Sequence, residues 1–392
     1  MNKVFDIIKN LSTSCFKTPI YIKEDNMYYD DLESKYQLLI NEFSTVENMP
    51  IIIEAKEMIN KLLSAIKNYF EGEIFSAYQN INCIVKDLIK SDLCYESVNK
   101  HYAFKNFISR QKNRGDYSSK VMQEYLNEKV DFYKGRVCNN LKSPSSEDML
   151  HIPFNKRGKI ATQRFSIPGI PCMYLSTSVY CCWKELGAPE DKDFYVTHVE
   201  LNDLKIFNLA VNLNFLQDCI NTQDKISDDF NFNINELISI YFKVWILNIA
   251  TSYIVEEKER NFKSEYIIPQ FIMMSLKENN IDGVVYYSKK LDEHRMWTTP
   301  KNLNLAILSE YHAENSEQIS LKKKVKNTEP ISYREFKNLS DIYIKKIMDK
   351  AVNKKDILND FKNTVYMAGE YHAYKNTDFY RFEEYIKGLN NR

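Results

Sequence analysis

The sequence predicts an α+β protein, with a mainly α-helical N-terminal domain, a central mixed β core with helices, and a helical C-terminal tail. Three observations carry this. Over residues 31–126, apolar side chains recur three and four apart with charges between them, the pattern of helices with one buried face. From residue 131, short alternating, aromatic-rich runs take over, punctuated by glycine and proline, as strands joined by turns would be. Beyond 310 the chain turns charged and then amphipathic again. A chain of 392 residues has room for two or three folding units, and these shifts predict boundaries at 1–127, 128–310 and 311–392.

In order along the chain, "DLESKYQLLINEF", "IIIEAKEMINKLLSAIKNYF" and "EIFSAYQNINCIVKDLIK" predict helices of a packing or regulatory module. "VDFYKGRV" alternates as a strand does, and the polar loop "NNLKSPSSED" and then "MLHIPF" follow it. In "QRFSIPGIPCMYLSTSVYCCWKELG" the "PGIP" forces a turn, because proline fixes φ and glycine tolerates positive φ. The turn is expected to separate a strand holding Arg164 from a strand holding Tyr174. The "STS" can then supply the side-chain oxygen that caps a short helix beginning near Ser178, and Gly187 can close it.

"DFYVTHVEL", "LKIFNL", "IDGVVYYS" and "LNLAILS" are further strands. "INELISIYFKVWILNIATSYIV" predicts a long apolar helix, and "SEYIIPQFIMMSLKENN" a second, with Pro269 tolerable in its first turn. "SEQISLKKKVKNTEP" reads as a linker whose basic run is a solvated face, and "YREFKNLSDIYIKKIMDKAVNKKDILNDF" as amphipathic helix.

Lys plus Arg and Asp plus Glu both number 53, so no net field gathers nucleic acid or an anionic membrane, and any phosphate binding has to be local. The N-terminus carries Asp6 where a secretion signal would be apolar. "VWILNIATSYIV" and "YIIPQFIMMSL" fall well short of the ~20 residues that span a bilayer. A soluble, cytoplasmic protein is expected. The eight cysteines form no CxxC pair, and adjacent Cys181 and Cys182 read as reduced packing residues. Six histidines without HxxxH or HExxH spacing predict no metal site.

Within the capped helix, Val179, Cys182, Trp183 and Leu186 fall at i, i+3, i+4 and i+7 and predict an apolar stripe with Glu185 beside it. A carboxylate at the edge of a buried face needs a partner or a ligand. On spacing alone, a structural ion pair and a catalytic acid are both open.

"HIPFNKRGKIATQRFSIPGIPCMYLSTSVYCCWKELG" resembles the central signature of the RES domain family, and "EYIIPQFIMMSLKENNIDGVVYYSKKL" its second block, a "PQ" helix and a strand ending in Tyr-x-Ser. The resemblance spans 131–308. It implies an ADP-ribosyltransferase-like core and enzymes that break down NAD, releasing nicotinamide by hydrolysis or phosphorolysis. By position, it implies Glu185 as the acid, Arg136 and Arg164 as the arginines, Tyr174 as the tyrosine and Ser288 as the serine, with Tyr286 preceding that serine in the Tyr-x-Ser.

Two guanidiniums can clamp a pyrophosphate through paired hydrogen bonds. A carboxylate near the ribose can stabilise the cation-like sugar that forms as neutral nicotinamide leaves. Tyr174 would stack on the ring or bond the ribose, and Ser288 would bond the nicotinamide or ribose side. His151 is a further candidate for positioning a phosphate or water, beside an ordinary structural role. NAD is then a substrate, with inorganic phosphate as an optional co-substrate and no cofactor. Family members also imply an antitoxin partner, with self-association as a further option, and the terminal helical regions are candidates for controlling the site. Transfer of ADP-ribose to a macromolecule and nucleotide binding without turnover are the alternative functions.

Overall fold

The computed structural model describes residues 2–99, 102–105, 129–139, 143–221, 234–291, 301–309, 324–339, 345, 364–367 and 370–389. The elements begin with α1 (Asn2–Asn10), β1 (Ile20–Ile22), α2 (Tyr28–Glu42), α3 (Pro50–Phe70), α4 (Ile74–Leu88), β2 (Tyr95–Ser97) and the short α5 (Tyr102–Lys105). There follow β3 (Asp131–Val137), β4 (Cys172–Ser176), α6 (Val179–Glu185), β5 (Phe194–Leu201), β6 (Lys205–Asn208), α7 (Leu213–Asn221), α8 (Ile234–Thr251) and β7 (Tyr253–Val255). The last are α9 (Ile267–Glu278), β8 (Gly283–Tyr287), β9 (Leu303–Leu308), β10 (Val325–Asn327), β11 (Ile331–Ser332), α10 (Tyr333–Lys337), β12 (Thr364–Met367), β13 (Glu370–Ala373) and α11 (Asp378–Leu389). The mixture is α+β, and among the described residues no helix is long and apolar enough to cross a membrane.

The chain folds into two compact units that interleave in sequence, where the composition shifts suggest three consecutive segments. The first holds Met1–Glu96, Ala161–Pro168 and Ile206–Val284. Its centre is α8, buried from Leu237 to Ala250 on nearly every side, as a helix apolar all round must be. Two tyrosines of α2 hold it: Tyr36 donates to Ile246 O at 2.9 Å and Tyr28 to Ala250 O at 2.8 Å. The long helix expected through 255 stops at Thr251. Ile20 N donates to Ser252 O, and the residues beyond it form β7, parallel to β1 with Ile20 opposite Tyr253. Pro269 lies in the first turn of α9, where its missing N–H costs no helical bond.

The second unit holds Ser97–Ile160, Gly169–Lys205 and Val285–Arg392. Its strands run in the order β10-β5-β3-β4-β9-β8, with β11 also on β5. β3 pairs antiparallel with β5 over seven residues, from Asp131 opposite Glu200 to Val137 opposite Phe194. β4 pairs with β9 from Cys172 opposite Leu308 to Ser176 opposite Asn304. β3 and β4 share only the Tyr133–Ser176 pair. All residues of β8 and β9 are buried, which is why their sequences run apolar without alternation.

The stretch expected to be a linker contributes β10, with Val325 opposite Leu201. The helix expected over 333–361 is described at 333–339, where α10 ends at Lys337, and at Lys345, and its remainder lies outside the described residues, as do 106–126 of the expected N-terminal helical region. The C-terminal part shares a core with α6. Tyr133, Val179, Tyr180, Cys181, Cys182 and Phe194 pack with Tyr333, Phe336, Phe379, Phe382 and Ile386. The buried part of α6 is therefore Val179–Cys182, between the sheet and α11, while of the expected stripe Trp183 is only half-buried and Leu186, near the helix end, is exposed.

Gly135 of β3 lies under α6. A Cβ there would stand 2.9 Å from Leu186 Cδ1 and Phe194 Cε2 and 3.2 Å from Cys182 Cβ. Gly135→Ala is expected to destabilise this unit by about 1–3 kcal/mol through overpacking, read as a lower thermal midpoint by circular dichroism. An unchanged midpoint would mean that α6 yields to the methyl group without cost.

Candidate active site

The site is built where α6 ends against β8 and β9. After the "PGIP" turn, in which Gly169 takes φ +77°, β4 leads into Ser178. Its side chain accepts from Cys181 N at 3.1 Å and caps α6 as the sequence predicts. Gly187, at φ +81°, donates its N–H to Lys184 O at 3.1 Å and ends the helix. Two turns of helix thus deliver Glu185 at an exposed position.

The Glu185 carboxylate is held at one oxygen. Ser288, fully buried just past β8, donates its hydroxyl to Glu185 Oε1 at 2.6 Å. The Asn304 side-chain amide of β9 donates to the same oxygen. Asn304 is itself fixed, because its Oδ1 accepts from Ser176 Oγ at 2.6 Å and from Cys181 Sγ at 3.3 Å. Reversing the amide would turn its oxygen toward a carboxylate, so the carboxylate sets the orientation. Burial and the nearby Glu185 raise Cys181 well above the ordinary thiol range, so it remains a thiol able to donate. Ser288 is placed by its backbone, whose N–H donates to Asn302 O at 3.1 Å.

Glu185 and Ser288, 103 residues apart, are thus in direct contact. The Asn304 that completes the pair is a residue the motif reading misses. A sequence signal existed: an asparagine within the apolar strand "LNLAIL" is a buried polar group that needs partners. Tyr286 lies on β8 two residues before Ser288 and is buried. Tyr174 lies half-buried on β4 opposite Ala306, two residues from Asn304.

Arg136 lies on β3, where alternation puts it and Lys134 on the face opposite Gly135, over which α6 packs. Its guanidinium donates to Asp148 O. His151 is buried and bonds Ile152 O through Nδ1 at 2.9 Å. Burial, opposed by that bond and aided by the Lys134 charge, lowers its imidazole below the ordinary value.

Arg164 differs from expectation. It lies in a turn and not on a strand, because Ser166 Oγ accepts from Gln163 N at 3.1 Å and donates to Gln163 O at 2.8 Å, closing the chain there. It belongs to the first unit, where Nη1 donates to Thr251 O at 3.3 Å. Within the second unit, Lys134 is a further cation near Arg136. Lys134 stands two residues before Arg136, with Nζ 3.5 Å from Tyr174 O, so its ammonium reaches the strand that carries Tyr174. Burial pushes this ammonium down to about 8.

Between about 8 and the ordinary 10.5, the unfolded chain binds a proton that the folded lysine has released. Lys134 therefore adds stability as pH rises through that window, and below it the full cost of the buried charge is present. Lys134→Met is expected to unfold at a higher urea concentration than the parent at pH 7, with the difference vanishing above pH 10.5. A variant less stable than the parent at pH 7 would show that the ammonium is held favourably.

No protein-family model matches the chain. Among curated proteins it is similar to "Putative toxin YopC" of Bacillus subtilis (strain 168), 27% identical over 428 residues that cover 97% of this chain and 91% of that protein. Among solved structures it matches a chain of the crystal structure of the M. tuberculosis MbcT-MbcA toxin-antitoxin complex. That match is 10% identical, covers 53% of this chain and 88% of the other, and has a TM-score of 0.27, too low to carry an argument.

Proposed function

We propose that the second unit binds NAD and cleaves its nicotinamide–ribose bond, and that the chain acts as a toxin by consuming NAD. The observation that carries this reading is the exposed Glu185 carboxylate, fixed at Oε1 by the Ser288 hydroxyl and the Asn304 amide. With Oε1 occupied by those donors, Oε2 is the oxygen available to a ribose hydroxyl. A carboxylate so oriented stabilises positive charge where it develops on the sugar, without reorganising during the reaction.

In the proposed step the bond from C1′ to nitrogen breaks, and its electron pair leaves on neutral nicotinamide. C1′ then bonds to the oxygen of water, which gives up a proton, or to an oxygen of inorganic phosphate. ADP-ribose or its 1″-phosphate results. Arg136 and Lys134 are the cations of this unit that could meet the pyrophosphate, Tyr174 and Tyr286 are assigned to the nucleoside, and His151 to support. The resemblance to the RES family supports the ADP-ribosyltransferase-like core and an antitoxin partner. The name of the Bacillus subtilis relative supports the toxin role.

Purified protein incubated with NAD, with and without inorganic phosphate, is expected to release nicotinamide, and phosphate dependence identifies the acceptor. Glu185→Gln is expected to slow release by about 10²–10³. Intact nicotinamide with the parent protein, or release by the variant at the parent rate, would sink the reading. Label retained on protein or nucleic acid would make the reaction a transfer.

A further inference from the structure

Glu383 of α11 is a buried carboxylate, 1% exposed, and it bonds both the first residue of α6 and Lys301 at the approach to β9. Its Oε1 accepts the N–H of Val179, the first residue of α6, at 2.8 Å, and also accepts the Tyr374 hydroxyl. Its Oε2 pairs with Lys301 Nζ at 3.2 Å. Burial and the Glu383 charge raise the Tyr374 hydroxyl well above its ordinary range, so it stays a donor, and Lys301 lies over its ring at 4.9 Å.

Both ends of this bridge matter. Val179 opens the helix that ends on Glu185. Lys301 opens the segment in which Asn302 O accepts the Ser288 N–H and Asn304 donates to Glu185. The Lys301 carbonyl also accepts the hydroxyl of Ser178, the cap of α6. One turn further along α11, Lys387 Nζ meets Asp131 Oδ2 at 3.2 Å, and Asp131 Oδ1 meets His198 Nε2 at 2.7 Å, which ties the same helix to β3 and β5.

We propose that Glu383 is a positioning residue of the Glu185 site: by bridging the Val179 N–H and Lys301, it sets α6 and the start of β9 relative to each other, so that Ser288 and Asn304 meet the acid. The C-terminal part of the chain is then support for the site and not a detachable regulator. This rests on the reading of Glu185 as the acid of NAD cleavage.

The test uses the full chain. Glu383→Gln keeps the side-chain length and an oxygen for the Val179 N–H but removes the charge that faces Lys301. Nicotinamide release is expected to fall about tenfold in kcat with KM within about twofold. Added to Glu185→Gln, Glu383→Gln should cost less than a further twofold, because both changes act on one unit. Hydrogen exchange should quicken at the α6 amides and at 301–304 and stay unchanged in α8 of the other unit. If Glu383→Gln fails to fold, Tyr374→Phe, which removes one donor from the same oxygen, is expected to act in the same direction. Parent-like kcat with parent-like exchange in α6, or costs that multiply in the double variant, would overturn the proposal. If the parent itself releases no nicotinamide, the proposed reaction falls, and exchange in α6 alone then decides whether Glu383 holds the helix.

Discussion

An acid carried at the end of a two-turn helix has no fixed direction unless something outside the helix grips it. Here the grip is an amide. Asn304 takes two donors, the Ser176 hydroxyl and the Cys181 thiol, on its oxygen, and commits its nitrogen to Glu185. Because the cross-strand register places Ser176 directly opposite Asn304, the pairing of β4 with β9 aims the carboxylate as much as the helix does. A slip of one residue in β9 would turn Asn304 to the face opposite Ser176, and the acid would lose its amide and its orientation together.

The helix that carries the acid is held with equal economy. Seven residues cannot stabilise themselves in water, so α6 draws on its surroundings: the Ser178 cap, the Gly187 stop, the Glu383 carboxylate at its first N–H, and a core that joins the sheet to α11. Its two cysteines belong to this packing. Burial pushes the Cys182 thiol up to about 12, and it donates to Tyr133 O at 3.3 Å. Both sulfurs serve as small buried donors, in keeping with the reduced state that their adjacency suggests.

What could be read from the sequence was what local chemistry decides. The Ser178 cap, the Gly187 stop, the "PGIP" turn and the placement of Pro269 each follow from one residue's backbone preference, and each is found where the sequence puts it. The family resemblance named Glu185 and Ser288 as site residues, but their contact was not legible, since no periodicity links residues that far apart. The parts that were not legible are the non-local ones. Asn304 acquires meaning only beside Ser176, and Lys134 only beside the Tyr174 carbonyl. Arg164 looked like a strand residue because the Ser166 turn that closes on Gln163 leaves no strong mark in "QRFS". The C-terminal contribution to the core stayed hidden because nothing local in either segment marks the packing of Phe379, Phe382 and Ile386 against α6.

The bond from Val179 N to Glu383 spans 204 residues, and this separation has a consequence in time. At about 5–20 residues per second, a ribosome that has just completed the segment of α6 needs a further ten to forty seconds, roughly, to reach the carboxylate that accepts its first N–H. Throughout that interval the nascent chain carries its acid on a helix whose final partner does not yet exist. The order of synthesis thus separates the making of the acid from the finishing of its support, and the cell that translates the message meets the completed arrangement last.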